Sequence, residues 1–63
     1  MEKTKIKSFY QEVITNRVRD WKAGELMNCE YEDWIIEVFY RLQGLGLSRE
    51  ESAELINQCE LSM

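Results

Sequence analysis

A chain of 63 residues with 12 acidic and 8 basic side chains, no histidine and no proline amounts to one domain, residues 1–63, that buries only about 60% of the surface its unfolded form exposes. Domains this small reach a few kcal/mol of stability through disulfides, a metal, oligomerisation or very regular helix packing. Cys29 and Cys59 are the only cysteines, so the four Cys or His ligands of a structural zinc site are missing, and no metal or cofactor is expected.

The stretch Met1 to Tyr10 is polar and lysine-rich, without the apolar segment of a secretory signal. A cytoplasmic location with reduced thiols follows as the expectation, with the cysteines as small core residues rather than a disulfide or redox pair. No run approaches the roughly 20 apolar residues of a membrane span, so no membrane partner is expected.

Three glycines, Gly24, Gly44 and Gly46, divide the chain into three segments. In the first, about residues 3–22, Ile6, Phe9, Tyr10, Val13, Ile14, Val18 and Trp21 recur at spacings of three and four, which predicts an amphipathic helix. The stripe drifts around the helix: Ile6, Phe9 and Val13 share one direction, while Ile14, Val18 and Trp21 lie further round. A curve, or a bend near Thr15 and Asn16, is expected.

The second helix is predicted over about 29–43, with Asn28 as N-cap, Glu30, Glu32 and Asp33 near its positive end, and Gly44 as its stop. On a helical wheel Tyr31, Trp34, Ile35, Val38 and Leu42 form one face, and Ile36, Phe39 and Tyr40 widen the apolar arc to about two-thirds of the circle. Asp33, Glu37 and Arg41 form the remaining polar strip, and Glu37 precedes Arg41 in the order that favours a helical ion pair.

The third helix, about 49–61, opens with Ser48-Arg-Glu-Glu51, the pattern of a capping box. Leu55, Ile56, Cys59 and Met63 give it one apolar face, and the Leu45-Gly-Leu47 link turns it back against the second helix. The fold class is therefore all-α, a small three-helix bundle or helical hook, with dimerisation expected.

Charge is polarised along the chain. Residues 1–23 carry Lys3, Lys5, Lys7, Arg17, Arg19 and Lys22 against Glu2, Glu12 and Asp20, a net +3, and the remainder carries nine acids against Arg41 and Arg49, a net −7. The acidic half suits either a solvated surface or a basic partner.

An enzyme is not expected. Without histidine there is no Ser-His or Cys-His pair and no ordinary proton shuttle at neutral pH, and so small a bundle is expected to lack a pocket of a few hundred Å³. The link Gly44-Leu-Gly46 has neither the length nor the lysine of a phosphate loop.

Residues Arg41 to Ile56, RLQGLGLSREESAELI, resemble the opening of many bacterial helix-turn-helix domains, where a phrase such as GLSREEAAEL forms the first helix of the motif. The resemblance implies DNA binding through a following recognition helix. Only Asn57 to Met63 follow, and Glu50, Glu51, Glu54 and Glu60 would repel phosphate, so the basic first helix would have to carry any such activity. Asp33-Trp34 through Leu47-Ser-Arg-Glu-Glu51 to Ile56 also resembles, with one inserted residue, the helical hook by which short bacterial antirepressors pair with a repressor's dimerisation helices. That likeness implies packing against a copy of the chain or a relative.

The expected function is that of a noncatalytic protein–protein interaction module, a homodimer that occupies a surface on another protein as a regulator, adaptor or inhibitor. Small stand-alone chains of this kind are common in bacteria and their phages. The candidate interface is Tyr31, Trp34, Ile36, Phe39, Tyr40 and Trp21, with Phe9 as a further contributor. Two alternatives stand beside it: an acidic decoy for a nucleic-acid-binding protein, presenting Glu30, Glu32, Asp33, Glu37, Glu50, Glu51 and Glu54, and a DNA-binding regulator using the first helix.

Overall fold

A computed structural model describes residues 2–62, which form three helices and no strand: α1 (Lys3–Lys22), α2 (Asn28–Gly44) and α3 (Arg49–Leu61). Met63, expected on the apolar face of α3, lies outside the described residues. At 1.5 Å per residue the twenty residues of α1 span about 30 Å, and they set the long dimension of a body measuring 33 × 19 × 16 Å.

Two short links reverse the chain by the same device. Gly24 and Gly46 take positive φ values, 83° and 116°, which a residue without Cβ adopts at little steric cost. After α1, Gly24 N–H donates to Trp21 O and Glu25 N–H to Asp20 O; after α2, Gly46 N–H donates to Gln43 O and Leu47 N–H to Leu42 O. These paired bonds satisfy the last free carbonyls of each helix. The expected stop at Gly44 is thus displaced: α2 runs through Gly44, and Gly46 is the residue that ends it.

The start of α2 also differs. Asn28 is the first helical residue, with Met27 at the cap position and no side-chain cap bond. Its amide oxygen instead accepts from the Trp21 indole N–H at 2.6 Å, so a donor on another helix claims the acceptor that the sequence assigns to capping. The start of α3 is as expected: Ser48 Oγ accepts from Glu51 N–H at 3.1 Å, and Glu51 Oε1 accepts from Ser48 N–H at 3.0 Å.

Glu51 does more than cap. Lys3 Nζ lies 3.0 Å from its Oε1 and Lys7 Nζ 3.3 Å from its Oε2. At the opposite end, Lys22 Nζ donates to the Glu60 carbonyl at 2.8 Å. These contacts match the start of α1 to the start of α3 and the end of α1 to the end of α3, so the two helices run in the same direction, with α2 antiparallel to both. The expected Glu37–Arg41 ion pair is not formed; the ion pairs among the described residues are the two on Glu51.

All three helix pairs are in contact, α1 with α3 most extensively. Their shared core consists of Ile6, Ile14, Val18, Tyr31, Val38, Leu42, Leu47, Leu55 and Cys59. Ser52 is buried among them, its Oγ donating to the Ser48 carbonyl at 2.9 Å. The drift of the α1 stripe is resolved without a break in the helix. Ile6, Tyr10, Ile14 and Val18, each four residues on, follow the core, and Phe9 is left outside at 62% exposure.

Two outcomes test this packing. Leu42→Ala should lower stability by about 2–5 kcal/mol in urea denaturation followed by circular dichroism, a large share of the total for a domain this size, whereas Ile36→Ala should change the stability of the isolated bundle, read in dilute solution, by no more than about 0.5 kcal/mol. The second concerns acid. The Ser48 N–H, and then the Lys3 and Lys7 ammonium groups, lower the Glu51 pKa from 4.5 to about 2. The folded chain therefore takes up this proton less readily than the unfolded one, and the contribution is complete above pH 4.5 and lost as pH falls towards about 2. Glu51→Gln keeps an acceptor for the capping bond but removes the ion pairs, so its loss of stability on acidification should be shallower than that of the wild type.

Candidate protein-interaction surface

The wide apolar arc of α2 divides into a buried and an uncovered part. Val38 and Leu42 are in the core, with Trp34 and Ile35 packed partly against it. Ile36 and Tyr40 remain 54% and 67% exposed, and Phe39 between them is partly buried, its ring 5.8 Å from that of Tyr40 at an interplanar angle of 64°. Because α1 packs along α3 as well as α2, it does not wrap the far side of α2.

Alongside this face runs an open groove of about 620 Å³ between α2 and α3. Ile35, Ile36 and Phe39 form one wall, Ala53, Ile56 and Asn57 the other, and Glu54 and Glu60 are its charged lining residues. The groove has the volume that the sequence is expected not to provide, although it is an open trough rather than an enclosed pocket. Ile56, assigned by periodicity to the core face of α3, is partly buried and serves both the core and the groove.

Tyr31, expected at the interaction surface, is instead buried at 3% exposure, with the core face of the wheel to which it belongs. Trp21 stacks on it with ring centroids 4.4 Å apart and planes 2° from parallel, an arrangement worth about 0.5–1.5 kcal/mol beyond the area it covers. Its hydroxyl donates to Glu60 Oε2 at 2.7 Å. Trp34 lies 6.4 Å from Tyr31, and the Arg17 guanidinium sits 4.9 Å from the Trp34 ring centre. Trp21, Tyr31 and Trp34 therefore form an internal aromatic cluster joining the end of α1, the start of α2 and the end of α3. The polar tips of Trp21 and Tyr31 are satisfied within the chain, which sets both apart from the uncovered residues Ile36 and Tyr40.

The acidic residues divide likewise. Glu30, Glu32, Asp33, Glu37, Glu50 and Glu54 are exposed, whereas Glu51 is committed to the α1–α3 contact. Of the basic residues of α1, Lys3 and Lys7 meet Glu51, Lys22 meets the Glu60 carbonyl, Arg19 donates to Asn16 and Arg17 covers Trp34. Cys29 is exposed and Cys59 is buried, its thiol 3.7 Å from the Gln11 carbonyl; both are free. No group of three or more His, Cys, Asp and Glu among the described residues is placed to hold a metal ion. No helix among them is long and apolar enough to cross a membrane.

A second hollow, of about 430 Å³, is lined by Lys5, Ile6, Phe9, Tyr10 and Leu45. Leu45, read from sequence as part of a link, is 42% exposed, whereas Leu47 two residues later is buried. Alternation in the link signals that one leucine points out, but it does not say which. No protein-family model matches the chain, and neither a curated protein nor a solved structure is found to be similar to it.

The aromatic cluster carries its own prediction. Burial, then the hydrogen bond to Glu60 and its negative charge, push the Tyr31 hydroxyl well above the ordinary tyrosine pKa of 10.0. The folded chain holds this proton more tightly than the unfolded one, so the contribution is complete below pH 10.0 and declines as pH rises beyond it. Tyr31→Phe should cost about 1–2 kcal/mol at neutral pH and should reduce the loss of stability in alkali, measured by denaturant titration at rising pH.

Proposed function

We propose that this chain is a noncatalytic helical protein–protein interaction module, a regulator, adaptor or inhibitor, that self-associates through the uncovered face of α2 and the adjoining α2–α3 groove. The observation that carries the reading is the uncovered apolar arc, where Ile36, Phe39 and Tyr40 lie beside a groove walled by Ile35 and Ile56. Moving two such side chains out of water is worth roughly 3–6 kcal/mol by transfer estimates. That is comparable with the folding stability expected of a 63-residue domain.

The two alternatives have less support. A decoy would present its acids as one continuous patch, yet Glu51 is neutralised internally by two lysines. Direct DNA binding would draw on the basic residues of α1, most of which meet partners within the chain. An acidic decoy complex would weaken steeply between low and physiological salt, whereas a contact dominated by apolar side chains changes far less.

Sedimentation equilibrium at micromolar concentration tests the reading. The wild type should associate, and Tyr40→Glu should shift the equilibrium towards monomer while leaving the helical circular dichroism signal intact. A wild-type chain that stays monomeric throughout that range would remove self-association from the proposal.

A further inference from the structure

We infer that the self-contact is made between two different faces, with the α2–α3 groove of one copy receiving the Phe9–Leu45 edge of another. This rests on the proposed self-association and adds which surface meets which.

The charges around the two apolar faces separate them. The charged residues lining the groove are Glu54 and Glu60, and Glu32 lies one helical turn before Ile36 on the same side of α2. A groove meeting its own copy about a two-fold axis would bring these carboxylates towards their counterparts, and like charges facing each other across an interface are unfavourable. The other face is lined by Phe9, Leu45, Ile6 and Tyr10, with Lys5 as its one charged lining residue.

Lys5 differs from the rest of α1. It alone among the six basic side chains of that helix meets no ionic, hydrogen-bonding or aromatic partner within the described residues. Arg41 lies one turn before Leu45, and residues 2–7 hold three lysines against Glu2, of which Glu51 occupies two. Glu12, the acid one turn beyond Phe9, lines a separate hollow with Ser8, Gln11 and Thr15. An apolar edge with a cationic rim thus stands on the same chain as an apolar groove with an anionic lining. Phe9, at 62% exposure and edge-on to Tyr10 at 5.2 Å, is the exposed aromatic side chain of that edge.

Complementation between variants tests the pairing. Phe9→Glu removes the apolar anchor of the Phe9–Leu45 edge and leaves the groove intact; Ile36→Glu does the reverse, and both positions are exposed enough for the fold to tolerate the change, which circular dichroism checks. Each variant alone should associate about tenfold or more weakly than the wild type, as when a central apolar anchor is lost. An equimolar mixture should recover a heterodimer, because the groove of the Phe9→Glu chain and the Phe9 edge of the Ile36→Glu chain are both unaltered. Lys5→Glu, which cannot disturb the core, should also weaken association, and the wild-type contact should loosen with added salt.

Wild-type-like association of Phe9→Glu and Lys5→Glu, with loss confined to Ile36→Glu and no recovery on mixing, would establish a groove-to-groove contact and overturn the inference while leaving the proposed function in place. A monomeric wild type would fail the proposed self-association itself, so the two failures are distinct.

Discussion

The starts of α1 and α3 lie side by side at one end of the bundle, and the Glu51 carboxylate serves both. Parallel neighbouring helices bring their positive dipole ends together, and the first turns of α1 add Lys3 and Lys7 to that excess of positive charge. Glu51 answers all of it at once: it caps its own helix through Ser48 and holds the two lysines of α1. Exposed ion pairs are individually weak. Their importance here lies in direction: they match the start of α1 to the start of α3, and the α1–α3 contact, the most extensive of the three, places α1 alongside α3 instead of on the far side of α2. A triangular bundle follows, and in a triangle each helix gives surface to two neighbours, so α1 cannot also cover Ile36 and Tyr40.

The opposite end of the bundle shows what becomes of aromatic residues that do find a place inside. Trp21, Tyr31 and Trp34 gather where all three helices approach; the Tyr31 hydroxyl donates to Glu60, and the indole N–H of Trp21 donates to Asn28 at the rim of the cluster. No buried side-chain nitrogen or oxygen among the described residues lacks a hydrogen bond. A high aromatic content is therefore no measure by itself of a binding surface. The informative residues are Phe9, Ile36 and Tyr40, large apolar side chains that remain more than half exposed.

Much of this was legible from local pattern, because helix periodicity, the capping box at Ser48 and the glycine punctuation are properties of neighbouring residues. The three helices and the Ser48–Glu51 bonds needed no tertiary information. Errors arose where a distant group competed for a local one. Asn28 is a sound N-cap by composition, but the Trp21 indole claims its amide oxygen. Gly44 is a plausible helix end, but the paired carbonyl bonds close on Gly46. Tyr31 lies within the core face of the wheel; its polar tip also suits a half-buried interface, but Trp21 covers its ring and Glu60 takes its hydroxyl. The exposed Leu45 and the groove wall at Ala53 and Ile56 depend on how two helices lie against each other, which no single-helix pattern encodes.

Folding and association are energetically linked in a chain of this size. A core of nine apolar residues supports a stability of only a few kcal/mol, and any species that binds the folded form alone adds RT ln(1 + [L]/Kd) to it. At a hundredfold excess over Kd that gain is about 2.7 kcal/mol, similar in size to the loss expected from truncating a core leucine. The uncovered face is thus a deficit in the isolated bundle and a reserve of stability once it is covered. The division of labour along the sequence is consistent with this: α1 has most of its basic groups engaged inside the chain, α2 and α3 keep all their acids but Glu51 and Glu60 in solvent, and the apolar surface that remains lies where neither arrangement can hide it.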